Sequence, residues 1–265
     1  MKNDNKDLMK KIIFASLAVF CWMQLVAQQE DFIKDVYLSS QGDSLLFRQL
    51  NPQQVVPGKK YPLVVFLHGA GERGNDNEAQ LTHGGNMFTN PVNREKYPAF
   101  VLFPQCPAEE YWAPKTLPDN LRGIPFEVDP PISTPLQSVK ELIDRTISRY
   151  PIDTDRIYVV GLSMGGMGTF DLLCRYPDLF AAAVPICGGV NIERLGKIKT
   201  QARIRIFHGD ADQVVPVAFS REAYLTLKNN GIDVEYIEFP GFNHDSWTSA
   251  FNRPDFMEWL FANRK

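Results

Sequence analysis

Short apolar runs alternate with amphipathic stretches along most of this chain. Residues 35–38 and 45–49 read as a leading hairpin of alternating polar and apolar positions. LVVFL at 63–67 and FVLF at 100–103 are short apolar strands. Leu136, Val139, Leu142, Ile143 and Ile147 recur at helical spacing and predict a helix over 135–150. The strand at 157–160 is expected to break at Gly161, and a helix follows over 164–175. Strands at 182–186, 204–207 and 234–239 enclose a helix at 218–229. A last helix spans 254–263, with Pro254 tolerated in its first turn. Apolar strands separated by helices imply a mostly parallel sheet flanked by helices on both faces. Such sheets bind ligands beyond the carboxyl ends of their strands, so strand-end residues are the candidates for chemistry.

Two stretches depart from this rhythm. Residues 104–135 hold eight of the nineteen prolines, and they follow a strand. A loop of that length is uncommon unless it serves a site, and Tyr111, Trp112 and Phe126 give it an apolar content. It reads as a substrate-binding insertion over the site. The first 27 residues carry Lys2, Lys6, Lys10 and Lys11, then sixteen uncharged residues ending at Ala27. A basic head, a short apolar run and a small terminal residue read as an export signal, leaving 28–265 as the catalytic domain. Sixteen residues fall short of the roughly twenty that span a bilayer, so no stable membrane insertion is expected after cleavage. Bulky Phe20 argues against lipid attachment at Cys21.

Composition narrows the function classes further. The net charge is −3 over 265 residues, without the basic excess a nucleic-acid binder uses to displace counterions. Beyond residue 27 only Cys106, Cys174 and Cys187 remain, with no clustered zinc-ligand spacing. Neither a helical zinc-protease motif nor a nucleotide phosphate loop is present, and no metal or cofactor is expected.

Gly161-Leu162-Ser163-Met164-Gly165 fits G-x-S-x-G between a strand and a helix. In that context the serine sits on a tight turn that lifts its hydroxyl above the sheet. The N–H of Met164 then faces a reacting carbonyl beside the positive end of the helix. A serine hydroxyl needs a base. Of four histidines, His244 lies past the last strand, at the same sheet edge as Ser163. His68 and His208 also end strands, and His83 lies in a polar loop. The orienting acid belongs to the run His208-Gly209-Asp210-Ala211-Asp212. Either aspartate could serve: Asp210 suits the turn itself, and Asp212 is better placed to reach His244. The glycine-rich loop after 63–67 suits a second oxyanion donor at the N–H of Ala70, with Gly71 as second choice. Glu72 and Arg73 either pair to brace that loop or touch substrate. Trp112 and Trp247 either form an aromatic wall around an acyl or phenolic group or pack as apolar residues beneath the loops.

HGAGERG, FPQCP, GLSMGGMGTF, HGDADQVVPV and GFNHDSW together resemble the α/β-hydrolase superfamily over residues 35–265. Within it the chain is similar to secreted bacterial carboxylesterases near the polyhydroxybutyrate depolymerase, feruloyl esterase and phospholipase/carboxylesterase groups. The resemblance implies an α/β-hydrolase fold and a cofactor-free esterase. Its nucleophile would be Ser163, its acid Asp212, its base His244, and its oxyanion donors Ala70 and Met164. It also implies small or polysaccharide-borne ester substrates and a periplasmic or secreted location. Two rival readings share the fold: a peptidase akin to prolyl oligopeptidase, and a non-catalytic binding protein.

Overall fold

The computed structural model describes residues 31–113 and 126–265. The expected export signal at 1–27 and the middle of the proline-rich segment lie outside the described residues. Eight strands form one sheet in the order β1-β2-β4-β3-β5-β6-β7-β8. They are β1 (Ile33–Leu38), β2 (Ser44–Leu50), β3 (Tyr61–Leu67), β4 (Phe100–Gln105), β5 (Ile152–Leu162), β6 (Ala182–Ile186), β7 (Arg203–Gly209) and β8 (Val234–Phe239). β2 pairs antiparallel with β1 and with β4, and every other pair is parallel. This is the mostly parallel, helix-flanked sheet that the element pattern implied and the α/β-hydrolase fold that the motif resemblance implied.

The pleat sends alternate residues of each strand to opposite faces. Leu63, Val65 and Leu67 of β3 join one apolar cluster, whereas Val64 and Phe66 join another. The long helices α3 (Thr134–Arg149), α4 (Met164–Arg175) and α6 (Ala218–Asn229) cover the first face. The short helices α1 (Gly85–Thr89), α7 (Ser246–Phe251) and α8 (Phe256–Phe261) cover the second. Two further short helices, α2 (Pro91–Lys96) and α5 (Ile192–Leu195), complete the set among the described residues. α3 buries Leu136, Val139, Leu142 and Ile143, the stripe its sequence displays. The closing helix is shorter than expected, because Asp255 serves as its N-cap and leaves Pro254 outside.

β5 differs from expectation in one informative way. It does not break at Gly161 but continues to Leu162, and Gly161 pairs with both Leu67 of β3 and Pro185 of β6. The glycine is required for clearance: a Cβ there would stand 2.1 Å from the carbonyl oxygen of Gly165. The central strand therefore runs straight into the turn that carries Ser163.

The leading hairpin is tied to α3 through one carboxylate. Glu141 accepts from Tyr37 Oη at 3.0 Å, Ser40 N at 2.9 Å, Ser40 Oγ at 2.7 Å and Gln137 Nε2 at 3.0 Å. The Gln137 amide and the Ser40 N–H, against a small burial penalty, hold this carboxyl down at about 2. A depressed carboxyl stabilises the fold above its unfolded value, and that contribution disappears as pH falls through the folded one. Glu141→Gln should therefore destabilise the protein at pH 7, by no more than about 1 kcal/mol because water screens the group. The gap from wild type should close between roughly pH 5 and pH 2 in urea titrations. A gap that does not change with pH would disprove this role.

Candidate active site

The site begins at the junction of β5 and α4. Ser163 has φ 52° and ψ −115°, a left-handed backbone that an L-residue adopts only under constraint. Its N–H donates to the Ile186 carbonyl at 2.8 Å, and its carbonyl accepts from Met167 N at 3.0 Å. A Cβ at Gly165 would fall 1.9 Å from the Leu67 carbonyl oxygen, so α4 can start this close to β3 only with glycine there. Met164 is the first helical residue and 4% exposed. Its N–H belongs to the first turn, where helical amides lack intrahelical partners.

His244 and Asp212 come from the loops after β8 and β7. Ser163 Oγ lies 2.8 Å from His244 Nε2, and His244 Nδ1 lies 2.8 Å from Asp212 Oδ2. The carboxylate accepts from Nδ1–H, which leaves the Nε2 lone pair facing the serine hydroxyl. Asp212 is buried at the side chain, while His244 keeps partial contact with solvent. Burial alone would raise the Asp212 carboxyl. Hydrogen bonds from His208, His244 and the Val215 N–H outweigh it and hold the group well below the usual carboxylate range. Val214 and Val215 both donate backbone N–H groups to Oδ1 at 2.8 Å. Asp210 accepts from the Gly241 N–H and braces the neighbouring turn, so of the two aspartates only Asp212 meets the imidazole.

Cys187 is a neighbour that sequence spacing did not flag. Its thiol and the donor atoms of Asp212 and His244 lie within 4.8 Å of one another. Burial pushes this thiol up to about 12, and Asp212 and His244 are already bonded to each other, so the trio is a poor metal site.

The loop after β3 places the other donor candidate. Ala70 is exposed and opens a single 3-10 turn, Ala70–Glu72, directly after Gly69. Beneath it, His68 donates from Nδ1 to the Gly69 carbonyl at 2.6 Å and accepts at Nε2 from the Cys106 N–H at 2.9 Å. Burial lowers this imidazole to about 4, so it is neutral in either role. His68 thus fixes the loop that carries Ala70.

Two expectations need correction. Trp112 is not part of an open wall: it is 0% exposed, and its Nε1–H donates to the His68 carbonyl at 3.0 Å. Its Cβ would stand 2.7 Å from a Cβ at Gly168, so the residue is wedged between α4 and the end of β3. Glu72 and Arg73 do not pair with each other. Arg73 donates to the Ala70 carbonyl at 3.0 Å and lies over the Tyr111 ring at 4.3 Å, whereas Glu72 faces His83 Nε2 at 3.5 Å. Trp247 does stand beside the site, edge-on to His244 at 5.4 Å and 5.3 Å from the His83 ring. His83, left in a polar loop by its sequence, therefore lies in the same cluster.

The profile of the phospholipase/carboxylesterase family matches residues 53–255. Poly(3-hydroxyalkanoate) depolymerase C of Paucimonas lemoignei is 44% identical over 154 residues, covering 44% of this chain and 36% of that protein. A bifunctional acetylxylan esterase/xylanase of Neocallimastix patriciarum is 40% identical over 81 residues, covering 30% of this chain and 12% of that protein. The chain thus spans only a minor part of these relatives. A solved thermostable esterase superposes with a TM-score of 0.79 at 36% identity, covering 90% of this chain and 64% of that one.

A buried carbonyl that loses its donor costs on the order of 1–3 kcal/mol. Trp112→Phe keeps the ring and removes only the N–H to His68. It should lower stability by about that amount in urea unfolding. An unchanged midpoint would show that the tryptophan does not clamp this loop.

Proposed function

The chain belongs to the phospholipase/carboxylesterase family, and from that premise we propose that it is an exported serine carboxylesterase acting through Ser163, His244 and Asp212. The observation that carries the reading is the continuous set of short contacts from Ser163 Oγ through His244 to Asp212, on a serine held at positive φ. His244 takes the Ser163 proton as the oxygen attacks the ester carbonyl. The N–H groups of Ala70 and Met164 receive the developing oxyanion, a contribution of roughly 3–4 kcal/mol per donor. The alcohol leaves with the proton from His244, and a water activated by the same imidazole releases the acid from Ser163. Asp212 keeps the Nδ1–H tautomer and stabilises the imidazolium.

Trp247, edge-on to His244, is placed to bound the substrate, with Glu72 and Arg73 on the loop that carries Ala70. The relative named as a bifunctional acetylxylan esterase/xylanase supports an acetyl group carried on a plant polysaccharide as the first candidate, with feruloyl esters, which the sequence resemblance implies, as the second. Export rests on the composition of residues 1–27. Among the described residues no helix is long and apolar enough to cross a membrane.

Ester hydrolysis should fall on the order of 10⁴–10⁶-fold in Ser163→Ala and on the order of 10⁴-fold in Asp212→Asn. A panel of p-nitrophenyl acetate, longer acyl esters, methyl ferulate and acetylated xylan, beside matched amides, tests the reaction class. Amide cleavage without ester cleavage would move the reading to a peptidase. No turnover by the folded protein would move it to a binding role.

His244 works only when neutral, while Asp212 is already ionised far below its usual range. The acid limb of log kcat/KM should therefore rise with a slope of one as pH increases, reporting a single proton. A flat profile from about pH 4 to pH 9 would contradict His244 as the base.

A further inference from the structure

The carboxylate of Asp212 serves two imidazoles. His208, the penultimate residue of β7, is 0% exposed and directs Nε2 at Asp212 Oδ2, 3.1 Å away, the same oxygen that meets His244. Nε2 also lies 3.0 Å from the Val215 carbonyl. Two acceptors at one nitrogen require that Nε2 carry a proton. Nδ1 lies 2.7 Å from Ser220 Oγ on α6, whose hydroxyl can donate to it. Every polar atom of this buried ring is thus assigned, and the ring is closed to solvent.

We infer that His208 is a positioning residue of the Ser163–His244–Asp212 set, which fixes the rotamer of Asp212 and takes up part of the negative charge that His244 would otherwise feel. The role presupposes that Asp212 orients the base, as proposed above. His208 pins the loop after β7 at two points, the Asp212 side chain and the Val215 carbonyl, while that loop returns two N–H groups to Oδ1. The carboxylate plane is therefore set before His244 arrives from a different loop. The charge effect follows from sharing one oxygen. A donor on Oδ2 weakens its attraction for the imidazolium form of His244, and removing the donor strengthens that attraction.

Other groups near this pair come from every neighbouring element. Glu238 of β8 is ion-paired with Arg221 of α6 at 2.6 Å, and Ser220 lies on the same helix. Cys187 follows β6, and Asp245 adjoins His244 in the last loop. None of these supplies a second donor to Oδ2 among the described contacts, so His208 alone tempers that oxygen against His244.

The two amide side chains separate the two ring nitrogens. His208→Asn places an amide near the position of Nδ1, retaining Ser220 and losing Asp212. His208→Gln reaches the position of Nε2 and restores a donor to Asp212. The test is the pH titration of the His244 imidazole by nitrogen-15 NMR of the full chain, read without reference to turnover. In His208→Asn the midpoint should rise by about 0.5–1 pH unit, a three- to tenfold gain in proton affinity. It should return to within about 0.3 unit of wild type in His208→Gln. Should His208→Asn not fold, His208→Leu fills a similar volume with no donor and should show the same rise. A His244 midpoint unmoved in the folded donor-less variant, or raised equally in His208→Gln, would overturn the proposal, since a residue with only a packing role would leave the base where it is. Hydrolysis of p-nitrophenyl acetate by the same samples separates the two readings. An NMR shift without turnover would sink the esterase and keep the positioning role. Turnover without the shift would do the reverse.

Discussion

The chain must change from the central strand to a helix within one residue, and the rest of the site depends on that turn. Ser163 at φ 52° stores strain of roughly 1–3 kcal/mol. Its flanks hold it there. Leu162 and Met164 are 1% and 4% exposed, the Ser163 N–H is bonded to Ile186, and the carbonyls of Leu67 and Gly165 press where Gly165 and Gly161 have no Cβ. The strain persists because the packed strand and helix over-determine it. Moving the serine would mean moving β3, β5 and α4 together, which share the largest apolar cluster.

Asp212 is the electrostatic counterpart of that turn. A buried carboxylate without partners would take up a proton. This one receives two backbone N–H groups and two imidazole N–H groups, which exceed the cost of burial. Its donors come from its own loop, from β7 and from the loop after β8, so the parallel order of β7 and β8 is what brings them together. Exposed ion pairs such as Lys197 with Glu193 contribute little by comparison.

Most of the fold was legible because the period of apolar residues differs between strands and helices. Helices 164–175 and 218–229 and the strands 182–186 and 234–239 fall where the sequence puts them. The short helices α1, α2, α5 and α7 were not seen, since elements of four to six residues offer less than two turns of periodicity. Trp112 misled for a related reason. An aromatic residue in a proline-rich loop reads as exposed until the loop is known to fold back onto the glycine face of α4.

The sequence by itself determined the strand-to-helix serine turn, the placing of Ser163, Asp212 and His244 beyond strand ends, and the mostly parallel sheet that aligns those ends. Each of these follows from local chemistry: glycine spacing, apolar period and the polar residue that closes each run. The sequence favoured Asp212 over Asp210, and the tertiary structure brought it to His244; only that structure decided that His68 and His208 are buried braces and that Cys187 lies beside Asp212 and His244. Those outcomes depend on which loop packs against which, and on the competition for donors around one buried carboxylate. Distance along the chain carries no information about either.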